Sequence, residues 1–179
     1  MKKTLVDLFE ESVRLYPNNT FLLEKTGKVF EPTTYTEVKE KVYQLGAGLQ
    51  ALGVKKGDNM ALLSEGRNMW VIGELSMFYA GAVNVPLSIK LEESNDLLFR
   101  LIHGDVKFIM VSGTQLKKIR LIKDKLTDVQ KVIVLDEQDH YEDKEISLAE
   151  VQKMGDEYLA NHALEEFLRV PNSIQNDDI

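Results

Sequence analysis

Residues 34–86, TYTEVKEKVYQLGAGLQALGVKKGDNMALLSEGRNMWVIGELSMFYAGAVNVP, decide the fold. Thr34 and Glu37 stand in capping-box spacing, and Val38, Val42, Leu45, Leu49 and Leu52 recur at helical intervals. Together they predict an amphipathic helix, closed at Gly53 by a left-handed cap. Val54 to Asp58 turn the chain, because Gly57 tolerates positive φ and Asp58 can bond its own backbone. Met60 to Ser64 then read as a short strand. Asn68 is the expected cap of a second helix. Its residues Met69, Trp70, Val71, Ile72, Leu75, Met77, Phe78 and Tyr79 are apolar around most of the circumference, so it should be buried on more than one side. Gly81 ends it, and Ala82 to Val85 form a strand stopped by Pro86, whose ring cannot donate to a ladder. Helix, strand, helix and strand in close succession imply an α/β fold: a mostly parallel sheet flanked by helices on both faces.

Working outward, Thr4 to Tyr16 read as a helix with Leu5, Leu8, Phe9, Val13 and Tyr16 on one face, ended by Pro17. Phe21 to Glu24 and Val29 to Glu31 flank Lys25-Thr26-Gly27-Lys28 as a small hairpin. Beyond Pro86, Ser94 to His103 are helical with Leu97, Leu98, Leu101 and Ile102 inward and Gly104 as the stop. Lys107 to Ser112 form a strand. Thr114 to Leu126 form an amphipathic helix through Leu116, Ile119, Ile122 and Leu126, its lysines and arginines lying on a solvated face. Lys131 to Leu135 are the last strand read. An acidic connector, Asp136 to Glu145, leads to a second capping box at Ser147 and Glu150. Helical character is expected to resume after Gly155 and to run to about Leu168, where Pro171 and the polar run Asn172 to Asp178 take over.

The length of 179 residues and the 44% hydrophobic content suit one domain with a sizeable core. No apolar run approaches the ~18 residues of a membrane span, and Met1-Lys2-Lys3-Thr4 enters a helix rather than a signal-peptide core, so a cytoplasmic protein is expected. A formal charge of -7 argues against nucleic acid as the main partner. The absence of cysteine excludes disulfides, thiolate catalysis and cysteine metal sites. The sequon Asn18-Asn19-Thr20 is read as chance.

Chemistry is sparse. Gly46-Ala47-Gly48-Leu49-Gln50-Ala51 matches a dinucleotide fingerprint, but it lies late in a helix instead of after a strand, so its small residues are read as a close helix contact. Gly27-Lys28 belongs to a hairpin turn and not to a phosphate loop. His103, His140 and His162 lack metal-ligand spacing. Serines 12, 64, 76, 88, 94, 112, 147 and 173 lack the glycine-flanked elbow of a nucleophile. Asp136 ends an apolar strand, where doubly wound proteins place functional carboxylates. Turn initiation is the plainer reason for it, and a receiver-type phosphoacceptor is the other.

The quoted stretch resembles the N-terminal part of the adenylate-forming, or AMP-binding, superfamily, which includes acyl-CoA synthetases, luciferases and peptide-synthetase adenylation domains. The resemblance rests on six elements in order: Thr34-Tyr35-Thr36-Glu37-Val38, Leu52-Gly53-Val54, Lys55-Lys56-Gly57-Asp58, Met60 to Leu63, Arg67 to Trp70, and Ala80-Gly81-Ala82-Val83-Asn84-Val85-Pro86. Val38 replaces the usual leucine, a mild change within a buried face. Gly66 stands where the loop before the helix commonly has Asn. Val106 to Ser112, Val132 to Asp136, Ser147-Leu148-Ala149-Glu150 and the lead-in Asn176-Asp177-Asp178-Ile179 look like the long-chain fatty acyl-CoA synthetase branch. The resemblance makes 1–170 a single α/β domain, the partial N-terminal domain of such an enzyme, and 171–179 a linker toward a phosphate loop beyond it. The chain would then cover roughly the first third of a family member.

Members of the family activate a carboxylic acid with Mg-ATP, release pyrophosphate, hold an acyl-adenylate and pass the acyl group to a thiol such as that of coenzyme A. The resemblance thus implies ATP, Mg²⁺ and coenzyme A as cofactors of the full-length parent and a fatty acid as its substrate. The family's phosphate loop, adenine and ribose motifs and C-terminal lid lie outside this sequence. No catalytic, cofactor-binding or metal-ligating residue is therefore assigned, and the 179-residue chain is expected to be an inactive scaffold that binds none of these cofactors. Trp70, Phe78, Tyr79 and Val85 are expected in its core. Strand edges and helix faces left without cover should favour self-association or element swapping. Peripheral contact of the parent with a membrane is left open. Two other readings stand beside this one: an adenylate-forming enzyme for another carboxylic acid, and a self-contained non-catalytic regulatory module using Asp136, with Asp139 or Asp143 supplying a paired acid.

Overall fold

The computed structural model describes residues 4–178. The opening Met1-Lys2-Lys3 and the final Ile179, both used above, lie outside them. Seven helices, α1 (Leu5–Leu15), α2 (Tyr35–Leu52), α3 (Asn68–Tyr79), α4 (Leu98–His103), α5 (Gly113–Ile122), α6 (Leu148–Asn161) and α7 (Leu164–Asn172), and seven strands are present among the described residues. Strands β1 (Thr20–Thr26) and β2 (Val29–Thr34) pair as an antiparallel hairpin. Strands β3 (Asn59–Leu63), β4 (Val83–Pro86), β5 (Val106–Val111), β6 (Lys131–Val134) and β7 (Glu145–Ser147) form a parallel sheet in the order β4-β3-β5-β6-β7.

Alternate strand residues divide between two cores, as a sheet covered on both faces requires. Met60, Leu62, Phe108, Met110, Ile133 and Leu135 face a layer containing α1, α2, α3, α6 and α7. Ala61, Leu63, Ile109, Val111, Val132 and Val134 face the layer of α4 and α5. The elements of the deciding stretch form as read: Thr34 and Glu37 make a full capping box, and Gly53 and Gly57 take φ of 104° and 88°. The Ser147 and Glu150 capping box is also made.

Several local expectations are corrected. On α1 the buried residues are Val6, Phe9 and Val13, while Leu5, Leu8 and Tyr16 are exposed, because the helix turns its i, i+3, i+7 row toward α2 and α3. Asn68 is the first residue of α3 and not its cap; Arg67 precedes it in extended conformation, and the Asn68 amide donates to Thr33 Oγ1 at 3.3 Å. Of the four expected core residues, Tyr79 is fully buried, and Trp70, Phe78 and Val85 are partly so. Pro86 pairs within β4, which its edge position permits. A π-helical turn (Glu93–Leu97) precedes α4, Ile102 faces solvent, and the left-handed residue after α4 is Asp105 and not Gly104. β7 extends the sheet beyond the last strand read from sequence. α6 passes through Gly155 without a break, and Pro171 lies inside the last turn of α7.

One polar contact ties α1 to its neighbours. Glu10 accepts hydrogen bonds from Tyr43 at 2.7 Å, from Lys39 at 2.6 Å and from the fully buried Tyr79. Burial pushes the Glu10 carboxyl up, but the bonds from Lys39, Tyr79 and Tyr43 outweigh it and hold the group below its ordinary value. Both phenols are pushed well up, by burial first and by Glu10 second. A carboxylate whose folded value is depressed stabilises above its unfolded value of about 4.3 and loses that contribution as pH falls through the lower folded value. Glu10→Gln is therefore expected to cost about 1–2 kcal/mol at neutral pH. In urea titrations the gap to wild type should close below about pH 4; a gap that persists at pH 3 would mean that shape, not charge, holds α1.

Candidate functional site

The helix after β3 covers one face of the sheet and the helix after β5 covers the other, although the two strands are neighbours. Their loops therefore part at the carboxyl edge and open a crevice, the position at which open α/β sheets hold ligands. Ser64, Glu65 and Arg67 reach it from the β3–α3 loop, Ser112 and Gln115 from the start of α5, and Asp136 from the end of β6.

Arg67 crosses the crevice to Asp136 in a bidentate pair, Nη1 to Oδ1 at 2.7 Å and Nη2 to Oδ2 at 2.9 Å. The Gly113 amide, first in α5, donates to the same Oδ2 at 2.7 Å. The Arg67 guanidinium foremost, then the Gly113 amide, hold the Asp136 carboxyl below the usual carboxylate range. Asp136 in turn raises Arg67. Gln115 donates to Glu65 Oε1 at 2.6 Å. Burial pushes Glu65 up, but Gln115 and Ser112 bring it down on balance, although the Ser112 hydroxyl makes no hydrogen bond of regular geometry.

The start of α5 has capping-box spacing, Ser112-Gly113-Thr114-Gln115, yet Ser112 does not cap it, and Gln115 turns to Glu65 instead. Arg67 Nε, Ser112 Oγ and Gln115 Oε1 are buried without partners. Neutralising the pair with Asp136→Asn is expected to cost about 1 kcal/mol, because both side chains keep some solvent contact. That difference should shrink in about 1 M salt when melting curves are compared; a salt-independent loss would assign it to the Gly113 hydrogen bond.

The sequence assigned no site residue; Asp136 was weighed as a functional carboxylate at a strand end, while Glu65 and Gln115 carried no signal of their own. Asp136 faces an arginine instead of a second acid, and Asp139 and Asp143 are exposed in the connector. The three histidines lie apart, at the end of α4, in the connector and after α6. Among the described residues no group of three His, Asp or Glu side chains could hold a metal ion. The residues present do not fit a nucleotide phosphate: Gly46 and Gly48 are packed inside α2, and the Gly113 amide is taken by Asp136. A separate cleft of about 710 Å³ runs beside β4, and its Lys56 and Asp178 pair with each other at 2.6 Å.

The family model for AMP-binding enzymes matches residues 9–179. The chain belongs to that family. Among its relatives, long chain acyl-CoA synthetase 8 of Arabidopsis thaliana is 25% identical over 96% of this chain and 26% of its own length. A 2-succinylbenzoate–CoA ligase of Listeria monocytogenes is 30% identical over 64% of this chain and 24% of its own. The chain thus spans about a quarter of the length of these curated relatives. A solved structure of a long-chain-fatty-acid-CoA ligase from Archaeoglobus fulgidus superimposes with a TM-score of 0.75 at 19% identity, covering 87% of this chain and 30% of that one. The α/β fold of this AMP-binding family segment is therefore that of adenylate-forming CoA ligases. Among the described residues no helix is long and apolar enough to cross a membrane.

Proposed function

We propose that this chain is the amino-terminal scaffold of an ATP-dependent long-chain fatty acid:CoA ligase. The whole enzyme would join acid and ATP into an acyl-adenylate with release of pyrophosphate, then transfer the acyl group to coenzyme A with release of AMP. The observation that carries the reading is the family match together with an alignment to a long chain acyl-CoA synthetase through 96% of the chain. The likeness to a 2-succinylbenzoate ligase over 64% of the chain favours a second reading, in which the acid is another one. Mg-ATP and coenzyme A would be held by parts outside these residues, which serve as sheet and helix support. The family match favours this reading over the stand-alone regulatory one. The enzyme belongs, on this reading, in the cytoplasm, meeting a greasy substrate at a membrane surface, and the edges β4 and β7 favour self-association of the isolated chain.

Exchange of labelled pyrophosphate into ATP tests the proposal. The 179-residue polypeptide should show none above a blank with any acid. The native polypeptide that carries this segment should show exchange that depends on a long-chain acid. Exchange by the 179-residue chain would overturn the scaffold role, and a native enzyme answering to 2-succinylbenzoate or a short acid would install the second reading.

A further inference from the structure

The wiring of the sheet points at one of its two edges. β3 is joined to β4 through α3, a step toward the β4 edge made in the layer of α1, α2, α3, α6 and α7. β4 is joined to β5 through α4, and β5 to β6 through α5; both steps run the other way along the sheet and use the opposite layer. Crossovers between parallel strands are right-handed, so direction and layer go together. After β7 the chain passes through α6 and α7, which lie in the first layer. A parallel strand reached through them therefore stands on the β4 side of β7. Because β6, β5, β3 and β4 fill every inner place, the free one is outside β4.

The chain is already led there. α7 packs on α3, and beyond it Lys56 Nζ donates to the Ser173 carbonyl at 2.8 Å and pairs with Asp178 at 2.6 Å. These contacts lay residues 174–178 along the cleft of about 710 Å³ beside β4, where Leu5, Val6, Phe78 and Ile174 supply apolar wall. The Val83 and Leu87 amides donate to the carbonyls of Asp58 and Leu62, each at 2.9 Å, so by alternation the Asn84 amide and carbonyl point away from β3. Asn84 Oδ1 is buried without a partner, although Nδ2 donates to Glu74 at 2.6 Å. Pro86, the next residue to face outward, has no N–H to leave unpaired.

We propose that the outer edge of β4 takes an extended strand from the segment that directly follows this one in the native polypeptide, running parallel to β4 and making the sheet six-stranded. The curated relatives, of whose length this chain spans about a quarter, have ample chain to supply it. The Asn84 amide and carbonyl would bond the backbone of the new strand, and every second side chain of that strand would enter the cleft against Phe78 and Ile174. Handedness selects this occupant over a second copy, because it constrains a strand reached through α6 and α7 and not one from another molecule.

Hydrogen exchange at the Asn84 amide, followed in dilute protein, is the test. In the 179-residue chain this amide should exchange as an edge amide. Carrying the natural reading frame about 15 residues past Ile179, enough for a short connection and one strand, should slow it about a hundredfold or more. Asn84→Pro and Asn84→Ala lose the bond to Glu74 alike and differ in the outward N–H. Their melting temperatures should agree in the 179-residue chain, whereas in the extended chain the proline variant should melt about 5 °C or more below the alanine one. An Asn84 amide equally fast in both chains would overturn the proposal, as would a proline variant no worse in the extended chain than in the short one. Protection of the extended chain that vanishes on dilution would assign the edge to a second copy, and a reading frame that stops at Ile179 would leave no strand to dock; either result overturns it. Exchange at Asn84 reports the wiring of the sheet and no ligase chemistry, so its outcome and that of the pyrophosphate assay are independent.

Discussion

Gly155→Ala is expected to lower the free energy of unfolding by about 3 kcal/mol or more, and to leave much of the chain insoluble at ordinary temperatures. A Cβ on Gly155 would stand 1.9 Å from the Gln44 carbonyl oxygen and 2.9 Å from both the Gln44 carbonyl carbon and the Gly48 nitrogen. Across the same contact, a Cβ on Gly48 would stand 2.0 Å from the Val151 oxygen. These obstacles are backbone, so no rotamer change makes room; α6 would have to lift off α2. Gly66→Ala is the control, with nothing within 4 Å and an ordinary φ, and it should gain up to about 1 kcal/mol by stiffening the unfolded chain. Urea midpoints of the two variants decide the matter. A Gly155→Ala midpoint near wild type would show that the helices can slide and that their close approach is dispensable.

Phe167→Ala should cost about 3–5 kcal/mol. Its ring is fully buried, 5.3 Å from that of Tyr43 and 6.1 Å from that of Tyr79, so its removal empties a volume between α2, α3 and α7. Phe167 is the large side chain by which α7 is anchored; beside it stand buried Pro171, half-buried Leu168 and the Gln50 amide, which donates to the Phe167 carbonyl at 3.2 Å. The loss should therefore appear first as protease sensitivity after residue 163, with the sheet still protected. Uniform loss of protection along the chain would mean instead that α7 and the sheet unfold together.

Much of the fold was legible because its signals are local. A cap, its partner three residues on and a row of apolar residues suffice to place α2, and they lie within one element. Signals that depend on a neighbour were misread. β7 is three half-buried residues that become a strand because β6 offers them an edge. Gly155 looks like a break, since glycine disfavours helix, until the Gln44 carbonyl is seen against it. The face that α1 buries depends on where α2 and α3 stand. The crevice was hidden for the same reason: Arg67 and Asp136 are 69 residues apart, and their pairing exists only through the crossing of the sheet.

The backbone contact between α2 and α6 sets a schedule for synthesis. Gly48 leaves the ribosome roughly a hundred residues before Gly155, an interval of about 5–20 s at ordinary elongation rates. During that time α2 is complete, yet its glycine groove has nothing to receive. The growing chain must keep this groove from other nascent segments, so this interval is when a chaperone has most to offer and when a slow codon after Asn161 would change the yield of folded protein most.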